Sequence, residues 1–286
     1  MPTPSRVTFA VGLVGLGLLT FVYGDFTLQW QPVPAWVPDR RVLAYLSGAI
    51  LFACGGGLLV ARTSAIAARV FFFYALLWVL LLKVPKVAAA PLIEGNWLGL
   101  GEICVVLASG WALFASLNDE PNAPAPRFAT GVNGLRIARY LFAVALLPVG
   151  LSHFVYAPQT IAFVPAWLPY RAGWAYLGGA GHIAAGLGVL FGVLPELAAT
   201  LEAAMIGAFT LLVWLPAVVA TPTNRLQWTG FVISGFIGAA AWVVASTLSR
   251  ARAPSTKDAF VRESARTTEA WVTVSGPRRP RSDRLA

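Results

Sequence analysis

The chain has 286 residues, of which 58% are hydrophobic and 12% are charged, and its formal net charge is +9. A soluble domain carries about a quarter charged residues, so this composition excludes a water-soluble globular protein. The apolar tracts are each about 20 residues long, which is the length at which an α-helix crosses the hydrocarbon core. They also lack the apolar–polar alternation of β-barrel strands. We therefore predict an all-α integral membrane fold.

Eight such tracts follow one another along the sequence, and each predicts a transmembrane helix. In chain order they are residues 7–26, 42–61, 66–84, 97–117, 135–157, 172–194, 198–220 and 226–248. The first tract could be mistaken for a signal peptide, but it lacks a convincing small-residue cleavage site. Its counterpart also recurs inside the chain at 135–157, where no signal peptide can lie. We therefore interpret the first tract as a retained span.

The sequence contains an internal repeat. Placing residue 34 over residue 165 aligns PAWVPDRRVLAYLSG (34–48) with PAWLPYRAGWAYLGG (165–179), and nine of these fifteen positions are identical. We call this shift the repeat interval, and it also pairs Pro85 with Pro216. Because each copy contains an even number of spans, both copies enter the membrane from the same side. We therefore predict eight transmembrane helices arranged as two parallel four-helix repeats.

The repeat defines the predicted domains and the distribution of basic residues predicts the orientation. The domains are a first membrane unit at 1–117, a polar Pro-rich linker at 118–134, a second membrane unit at 135–249 and a basic tail at 250–286. Fifteen Lys and Arg residues lie on the face of the termini and six on the other face. This excess predicts cytoplasmic termini in a bacterial inner (plasma) membrane. The tail is predicted to be disordered, and it could contact anionic lipid, recruit a cytoplasmic partner or remain solvated.

Two connectors on the opposite face, QWQPVPAWVP and AFVPAWLP, are too rich in proline to form membrane-crossing helices. We interpret them as lids in the outer membrane interface. Indole rings are expected in this interface, and six tryptophans lie in or beside the loops of this face: Trp30, Trp36, Trp97, Trp167, Trp174 and Trp228. These rings could form a plain aromatic belt or gate a substrate.

Ionisable residues inside a span are costly to insert, so they usually face a partner or a cavity. The candidates near the outer boundary are Asp25, Lys83, Glu102 and His153, all within about 8 Å of it by helix rise. His182 lies about 15 Å deep, where we expect a neutral imidazole. It could be a structural residue bonded to a neighbouring side chain, or it could handle protons or a quinone.

Several cofactor classes are disfavoured by the sequence. No Cys/His cluster has metal-ligand spacing, so we predict no metal site. A haem between His153 and His182 is disfavoured because helix rise places them about 9 Å apart in depth. The glycine-rich run GGAGHIAAG lies inside a span, so it does not indicate a nucleotide site. We likewise predict no nucleic-acid partner.

The second unit resembles the DoxX-like superfamily of four-helix membrane proteins. The residues that carry this resemblance, in order, are His153, Phe154, Pro165, Leu168, Pro169, Tyr176, Gly179 and His182. The resemblance covers 135–220 well and 7–117 more weakly, and it implies a redox-associated membrane role. Related sequences often carry Glu where this chain has His182, and the first unit has Leu51 there. The second unit is therefore the expected active half.

Three functions remain open from the sequence, and whether the protein is an enzyme is not decided. The first is binding of a quinone or similar lipophilic molecule, with His153 and His182 as ligand contacts beside Tyr156, Tyr176 and Trp167. The second is a small-solute transporter or channel that uses Glu102, Lys83 and Asp25. The third is a non-catalytic membrane scaffold. A pocket around both histidines favours the first, and a continuous polar path favours the second.

Overall fold

The computed structural model describes residues 1–28, 30–118 and 128–252. Over these ranges the chain forms nine helices and no β-strand. The helices are α1 (Pro4–Tyr23), α2 (Arg40–Leu59), α3 (Ser64–Ala89), α4 (Glu94–Leu117), α5 (Gly131–Val155), α6 (Ala157–Phe163), α7 (Arg171–Leu190), α8 (Pro195–Ala220) and α9 (Arg225–Arg252). The predicted all-α fold is therefore confirmed.

Within the described residues, seven helices are long and apolar enough to cross a membrane, and the chain is an integral membrane protein. These seven are α1 to α5, α8 and α9. The remaining long helix, α7, lies where the sixth span was predicted. Its 20 residues reach about 30 Å, but six glycines and His182 lower its mean hydropathy. The eighth span stays a prediction for this reason.

The helix boundaries recur at the repeat interval found in the sequence. Helix α2 covers Arg40–Leu59, and α7 covers Arg171–Leu190, so that both boundaries coincide after the shift. Both helices begin after a residue with a left-handed backbone, Asp39 (φ 49°) and its counterpart Tyr170 (φ 55°). The local structure that starts the second helix is therefore the same in both halves.

The third long helix of each half contains a π-helical turn. This turn covers Val79–Lys83 in α3 and Thr210–Trp214 in α8, again separated by the repeat interval. A proline follows each turn, Pro85 in α3 and Pro216 in α8. Proline cannot donate to the preceding turn and its ring clashes with a carbonyl there, and a π-bulge relieves such a clash. The predicted end of α3 at residue 84 was wrong because the helix continues through this proline to Ala89.

Glycines bring the first and second long helices of each half into close contact. A Cβ at Gly17 would lie 2.8 Å from the carbonyl oxygen of Gly48, and a Cβ at Gly150 would lie 2.6 Å from that of Gly179. Only glycine permits this approach, because any side chain would meet the backbone of the neighbouring helix. The contact fixes α1 on α2 and α5 on α7.

Both halves pack into one compact unit, Met1–Leu248. Helix α4 contacts α3 and α5, and α9 reaches the first half through Phe236, whose ring contacts Phe9, Phe71 and Trp30. Trp30 is 2% exposed. Its prediction as an interfacial ring was therefore wrong, because it fills the aromatic core between the halves.

The predicted linker and tail fall largely outside the described residues. The described residues do not include 119–127 of the linker or 253–286 of the tail. Helix α5 begins at Gly131, inside the predicted linker rather than at 135. Hydropathy placed the start too late because the first turns contain polar Asn133 and Arg136. Ser249–Ala286 is a second unit. The structure describes only its first residues, 249–252, which form the end of α9.

Candidate functional site

A buried histidine–carboxylate pair joins α7 to α8. His182 Nδ1 lies 2.8 Å from Glu202 Oε1, and the two side chains are 1% and 0% exposed. The carboxyl oxygen Oε1 of Glu202 accepts this hydrogen bond, and His182 Nδ1 donates it. In the neutral imidazole this leaves His182 Nε2 as an acceptor. The pair thus fixes both the orientation and the tautomer of His182.

The second histidine lies beside this pair. The ring centroids of His153 and His182 are 5.0 Å apart. His153 Nδ1 lies 3.1 Å from the carbonyl oxygen of Val149, one turn earlier in α5. A carbonyl accepts, so Nδ1 donates and His153 Nε2 becomes the acceptor of the neutral ring. Both imidazoles therefore offer the same nitrogen to a ligand.

The two rings are much closer than the predicted 9 Å difference in depth. That prediction, about 9 Å by helix rise, was wrong because it assumed that the outer ends of neighbouring helices are level. Gly150 of α5 packs against Gly179 and His182 of α7, so α7 extends roughly one to two turns beyond α5 on the outer side. Depth therefore no longer disfavours a haem between the two rings.

A cavity of about 570 Å³ is lined by both histidines. This volume is within the range of about 300–1,000 Å³ that is common for small-molecule sites. Polar side chains in the lining include those of Glu102, Ser152, His153, Thr160, His182, Thr229 and Ser234. The rest of the wall is mostly apolar, with contributions from Leu98 and Val105 of the first half and Met205 and Phe209 of the second. We call this space the central cavity.

Glu102 and Lys83 lie at the side of the cavity that the first half provides. Glu102 lines the cavity and interacts electrostatically with both Lys83 and His182. Lys83 is 5% exposed, and its Nζ would lie 3.0 Å from a Cβ at Gly99, one turn before Glu102 on α4. The two predicted residues are therefore brought together beside the histidines.

Four other predicted residues lie outside the central cavity lining. Asp25 pairs with Arg40 at 2.7 Å and with Arg225 at 3.6 Å, and its side chain is 32% exposed. The Tyr156 hydroxyl accepts from the backbone N–H of Gly95 at 2.9 Å. Tyr176 stacks on Phe154, and Trp167 is largely exposed. The contacts of Asp25, Tyr156 and Tyr176 lie at connectors and helix ends.

The connector before α7 forms one wall of the cavity. Helix α6 and the residues after it contribute Thr160, Phe163, Val164, Pro165 and Leu168 to the lining. Arg171 holds this segment by donating to the carbonyl oxygens of Val164 at 2.8 Å and Ile161 at 2.9 Å. In the first half, Arg40 donates to the carbonyl of Val33 at 2.6 Å in the same way. The connector thus covers the site.

A comparison of the halves explains why the space forms in the second one. In the first half, Gln31 bonds to Ser47 at 2.9 Å and to Tyr74 at 2.8 Å, and these side chains fill the position between α2 and α3. Their counterparts at the repeat interval are Ala162, Gly178 and Met205. Smaller and apolar side chains thus replace a filled hydrogen-bonded cluster, and Gly178 and Met205 line the cavity.

Glu202 is the main site residue that the sequence analysis missed. A usable signal was present, since an acidic residue inside a predicted span is expensive. His182 lies eight residues before the end of α7, and Glu202 lies seven residues after the start of α8. Helix rise therefore puts them about 12 Å and about 10 Å from the turn that joins the two helices. Matched depth on adjacent antiparallel helices predicts contact.

In the described part of the chain, His, Cys, Asp and Glu do not form a group of three or more that could hold a metal ion. Comparisons of the chain with protein-family models, with curated proteins and with solved structures give no match. The DoxX-like resemblance therefore rests on the sequence motifs alone.

Proposed function

We propose that this protein binds a lipophilic small molecule with a polar head group, of the quinone or quinol class, in the central cavity. The observation that carries the proposal is the pair of imidazoles, 5.0 Å apart, in the lining of a mostly apolar cavity of about 570 Å³. Apolar walls accept a ring and tail, while a small number of polar groups fix the head.

The tautomers of His153 and His182 favour a ligand head group that donates hydrogen bonds. With Nδ1 of each ring committed to a carbonyl or carboxylate, the neutral Nε2 atoms accept hydrogen bonds. A quinol or phenol hydroxyl supplies the matching donor, whereas a quinone carbonyl needs an imidazolium. We therefore expect tighter binding of the hydroxyl form, and protonation of the histidines on binding of the carbonyl form.

The proposed architecture is eight spans in two parallel four-helix repeats. Support comes from helix boundaries that recur at the repeat interval and from matched side-chain contacts. The indole N–H of Trp97 donates to the carbonyl of Pro91, and that of Trp228 donates to the carbonyl of Pro222, both at 2.8 Å. The proposal includes cytoplasmic termini and a bacterial inner membrane, and the redox-associated role follows the DoxX-like resemblance.

The transporter and scaffold alternatives receive less support. A solute path through Glu102, Lys83 and Asp25 needs Asp25 near the other two, but Asp25 is paired with Arg40 and Arg225 at a partly exposed position. A scaffold that acts through its tail gives no reason for a cavity with two imidazoles. A pocket around both histidines is the feature expected of a binding protein.

The proposal can be tested by purifying the protein in detergent and identifying co-purified lipophilic molecules by mass spectrometry. Binding of a quinol analogue and of its quinone form is then measured for wild type, His182→Leu and His153→Ala. Trp167→Ala is the control, because Trp167 lies in the connector before α7 but is exposed and does not line the central cavity. We expect weaker binding in the histidine variants and unchanged binding in the control. Equal binding by all four proteins would contradict the proposal.

A further inference from the structure

A second cavity, of about 470 Å³, lies between α7 and α8. Its lining includes Ala184, Gly188, Phe191, Leu194, Leu201 and Glu202. Phe191 and Leu194 belong to the connection between the two helices, so the cavity extends from Glu202 to the helix ends. We call it the α7–α8 groove. By helix rise, Glu202 is about 10 Å from the end of the groove.

The His182–Glu202 pair lies between the groove and the central cavity, and Met205 lines both of them. His182 is part of the central cavity lining, and Glu202 is part of the groove lining. Glu202 Oε1 is bonded to His182 Nδ1, whereas Glu202 Oε2 is buried and has no hydrogen-bond partner among the described residues. A buried carboxylate oxygen without a donor is costly. Oε2 is therefore the oxygen of this pair at which a proton can be taken up from the groove or released to it.

The first half of the chain shows that the fold does not require this pair. The counterparts of His182 and Glu202 at the repeat interval are Leu51 and Phe71. Both are buried in the hydrophobic core. An apolar pair therefore packs well between the second and third long helices. A buried polar pair that apolar residues can replace is weak evidence for a role in stability, and this makes His182 and Glu202 candidates for a chemical role.

We propose that Glu202 exchanges protons through the α7–α8 groove and passes them to and from the central cavity through His182. In the outward step, a ligand hydroxyl gives its proton to His182 Nε2, and His182 Nδ1 gives its own proton to Glu202 Oε1. The carboxyl is then neutral, and it releases one proton into the groove. The ligand is left with the negative charge. His182 regains its first tautomer in the inward step, in which the groove protonates Glu202, Glu202 Oε1 returns a proton to His182 Nδ1, and His182 Nε2 returns its proton to the ligand. One proton enters and one leaves, so charge is conserved without a further reactant.

Other ionisable groups face the same pair. His153 approaches from α5, with its ring centroid 5.0 Å from that of His182. Glu102 approaches from α4 and interacts electrostatically with His182. Both residues line the central cavity, but neither lines the groove. Access from the groove therefore distinguishes Glu202 from Glu102.

The test is covalent labelling of the full-length protein in detergent with dicyclohexylcarbodiimide, a lipophilic reagent that reacts with protonated carboxyl groups. The carboxyl oxygen bonds to the central carbon of the reagent while the carboxyl proton moves to one nitrogen. The acyl group then migrates to the nitrogen to give a stable N-acylurea, and nothing leaves. Peptide mass spectrometry locates the adduct. We expect it on Glu202, and we expect it to be lost in Glu202→Gln.

Two substitutions at equivalent positions of the two halves test whether Glu202 is reached through the α7–α8 groove. Ala184→Phe fills the groove, whereas Ala53→Phe places the same ring at the equivalent position of the first half. We expect Ala184→Phe to abolish labelling of Glu202 and Ala53→Phe to leave it unchanged. If Ala184→Phe does not fold, Leu201→Trp with its counterpart Val70→Trp replaces the pair. Equal labelling in both members of a folded pair, or no labelling of Glu202 in wild type, would overturn the proposal.

Coupling to His182 has its own readout. His182→Gln can still donate to Glu202 but cannot carry a proton from the ligand. We therefore expect addition of the quinol analogue to raise labelling of Glu202 in wild type and to leave it unchanged in His182→Gln. An equal response in both proteins would show that the two residues do not share a proton. The proposal rests on the proposed function for the ligand in the central cavity. If no quinol analogue binds, that function fails, while the comparison of Ala184→Phe with Ala53→Phe still decides access through the groove.

Discussion

Ser109 shares its hydroxyl hydrogen between the carbonyl oxygen of Ala240 at 2.8 Å and that of Val105, in its own helix, at 2.9 Å. Ser109 and Ala240 are separated by the repeat interval itself. Corresponding residues of α4 and α9 therefore touch each other at the centre of the molecule. Two equivalent positions can be in contact only where a symmetry axis passes close by, so this bond marks the place expected for the pseudo-two-fold axis.

We expect Ser109→Ala to lower the free energy of unfolding by about 0.5–1 kcal/mol, a typical value for one helix–helix hydrogen bond in a membrane protein. The loss is small because the Ala240 carbonyl lies inside α9 and keeps its helical surroundings. Thermal unfolding in detergent measures the effect. Ser116→Ala is the control, since Ser116 bonds within its own helix to Leu113. An equal loss in both variants would contradict a bridging role for Ser109.

The His182–Glu202 pair should be strongly coupled in stability. Removing one partner leaves the other buried without compensation, so His182→Leu and Glu202→Phe are each expected to cost about 3 kcal/mol. The double variant copies Leu51 and Phe71 of the first half, where both residues are fully buried in the core. We expect it to recover most of the loss, because an apolar pair of suitable volume replaces the whole buried polar pair.

A double-mutant cycle of detergent-solubilised protein tests this coupling. The cycle compares wild type, the two single variants and the double variant by thermal unfolding. Additive losses, with the double variant least stable of all, would show that the two positions do not interact. Binding of the quinol analogue should be lost in the double variant even where stability returns, and this separates the chemical role from the packing role.

His153→Thr copies Thr20, which occupies the corresponding position in α1 when the two-residue offset between the first helices is included. We expect the substitution to weaken binding of the quinol analogue by about tenfold, equivalent to one lost hydrogen bond to a polar ligand group. Stability should change little, because His153 is half-buried at the cavity. Titration of the analogue into both proteins measures the effect. Undiminished affinity in a folded variant would contradict a ligand contact at His153.

Deleting residues 254–286 should leave the membrane unit folded. The deletion removes a basic segment whose low apolar content cannot offset its ordering entropy, and it begins after the last helical residue, Arg252. Size-exclusion chromatography and thermal unfolding of the shortened protein provide the measurement. We expect the same elution profile and melting temperature as wild type. Aggregation or loss of the detergent-stable protein would contradict this prediction.

Much of the fold follows directly from the sequence. Long apolar tracts with few charges must become helices in a bilayer, because each backbone polar group has to be satisfied within its own segment. The apolar tracts predicted the start of α7 to within one residue and the start of α8 to within three. The mean hydropathy of α7 is nevertheless too low for this helix to be counted among the candidate membrane spans. Helix ends moved where a proline was accommodated by a π turn, as at Pro85.

The site was accessible from the sequence in part. An intramembrane ionisable residue is costly whichever way it points, so His153, His182, Glu102 and Lys83 could be selected by type and position. The sequence did not predict that these side chains meet at one cavity. Relative helix height, tilt and rotation depend on side-chain packing between helices, and the contact of Gly150 with Gly179 set the height that brought the two histidine rings together.

The composition and periodicity of the sequence determined the solvent, the helical class and the duplication, because these depend on local hydrophobicity and spacing. Tertiary structure decided which half contains the central cavity, since that depends on the volumes of residues distant in sequence. Gln31, Ser47 and Tyr74 fill one half, and Gly178 and Met205 leave space in the other. The tertiary structure also paired His182 with Glu202. Helix packing buried both side chains at the same depth, where each has few other hydrogen-bond partners.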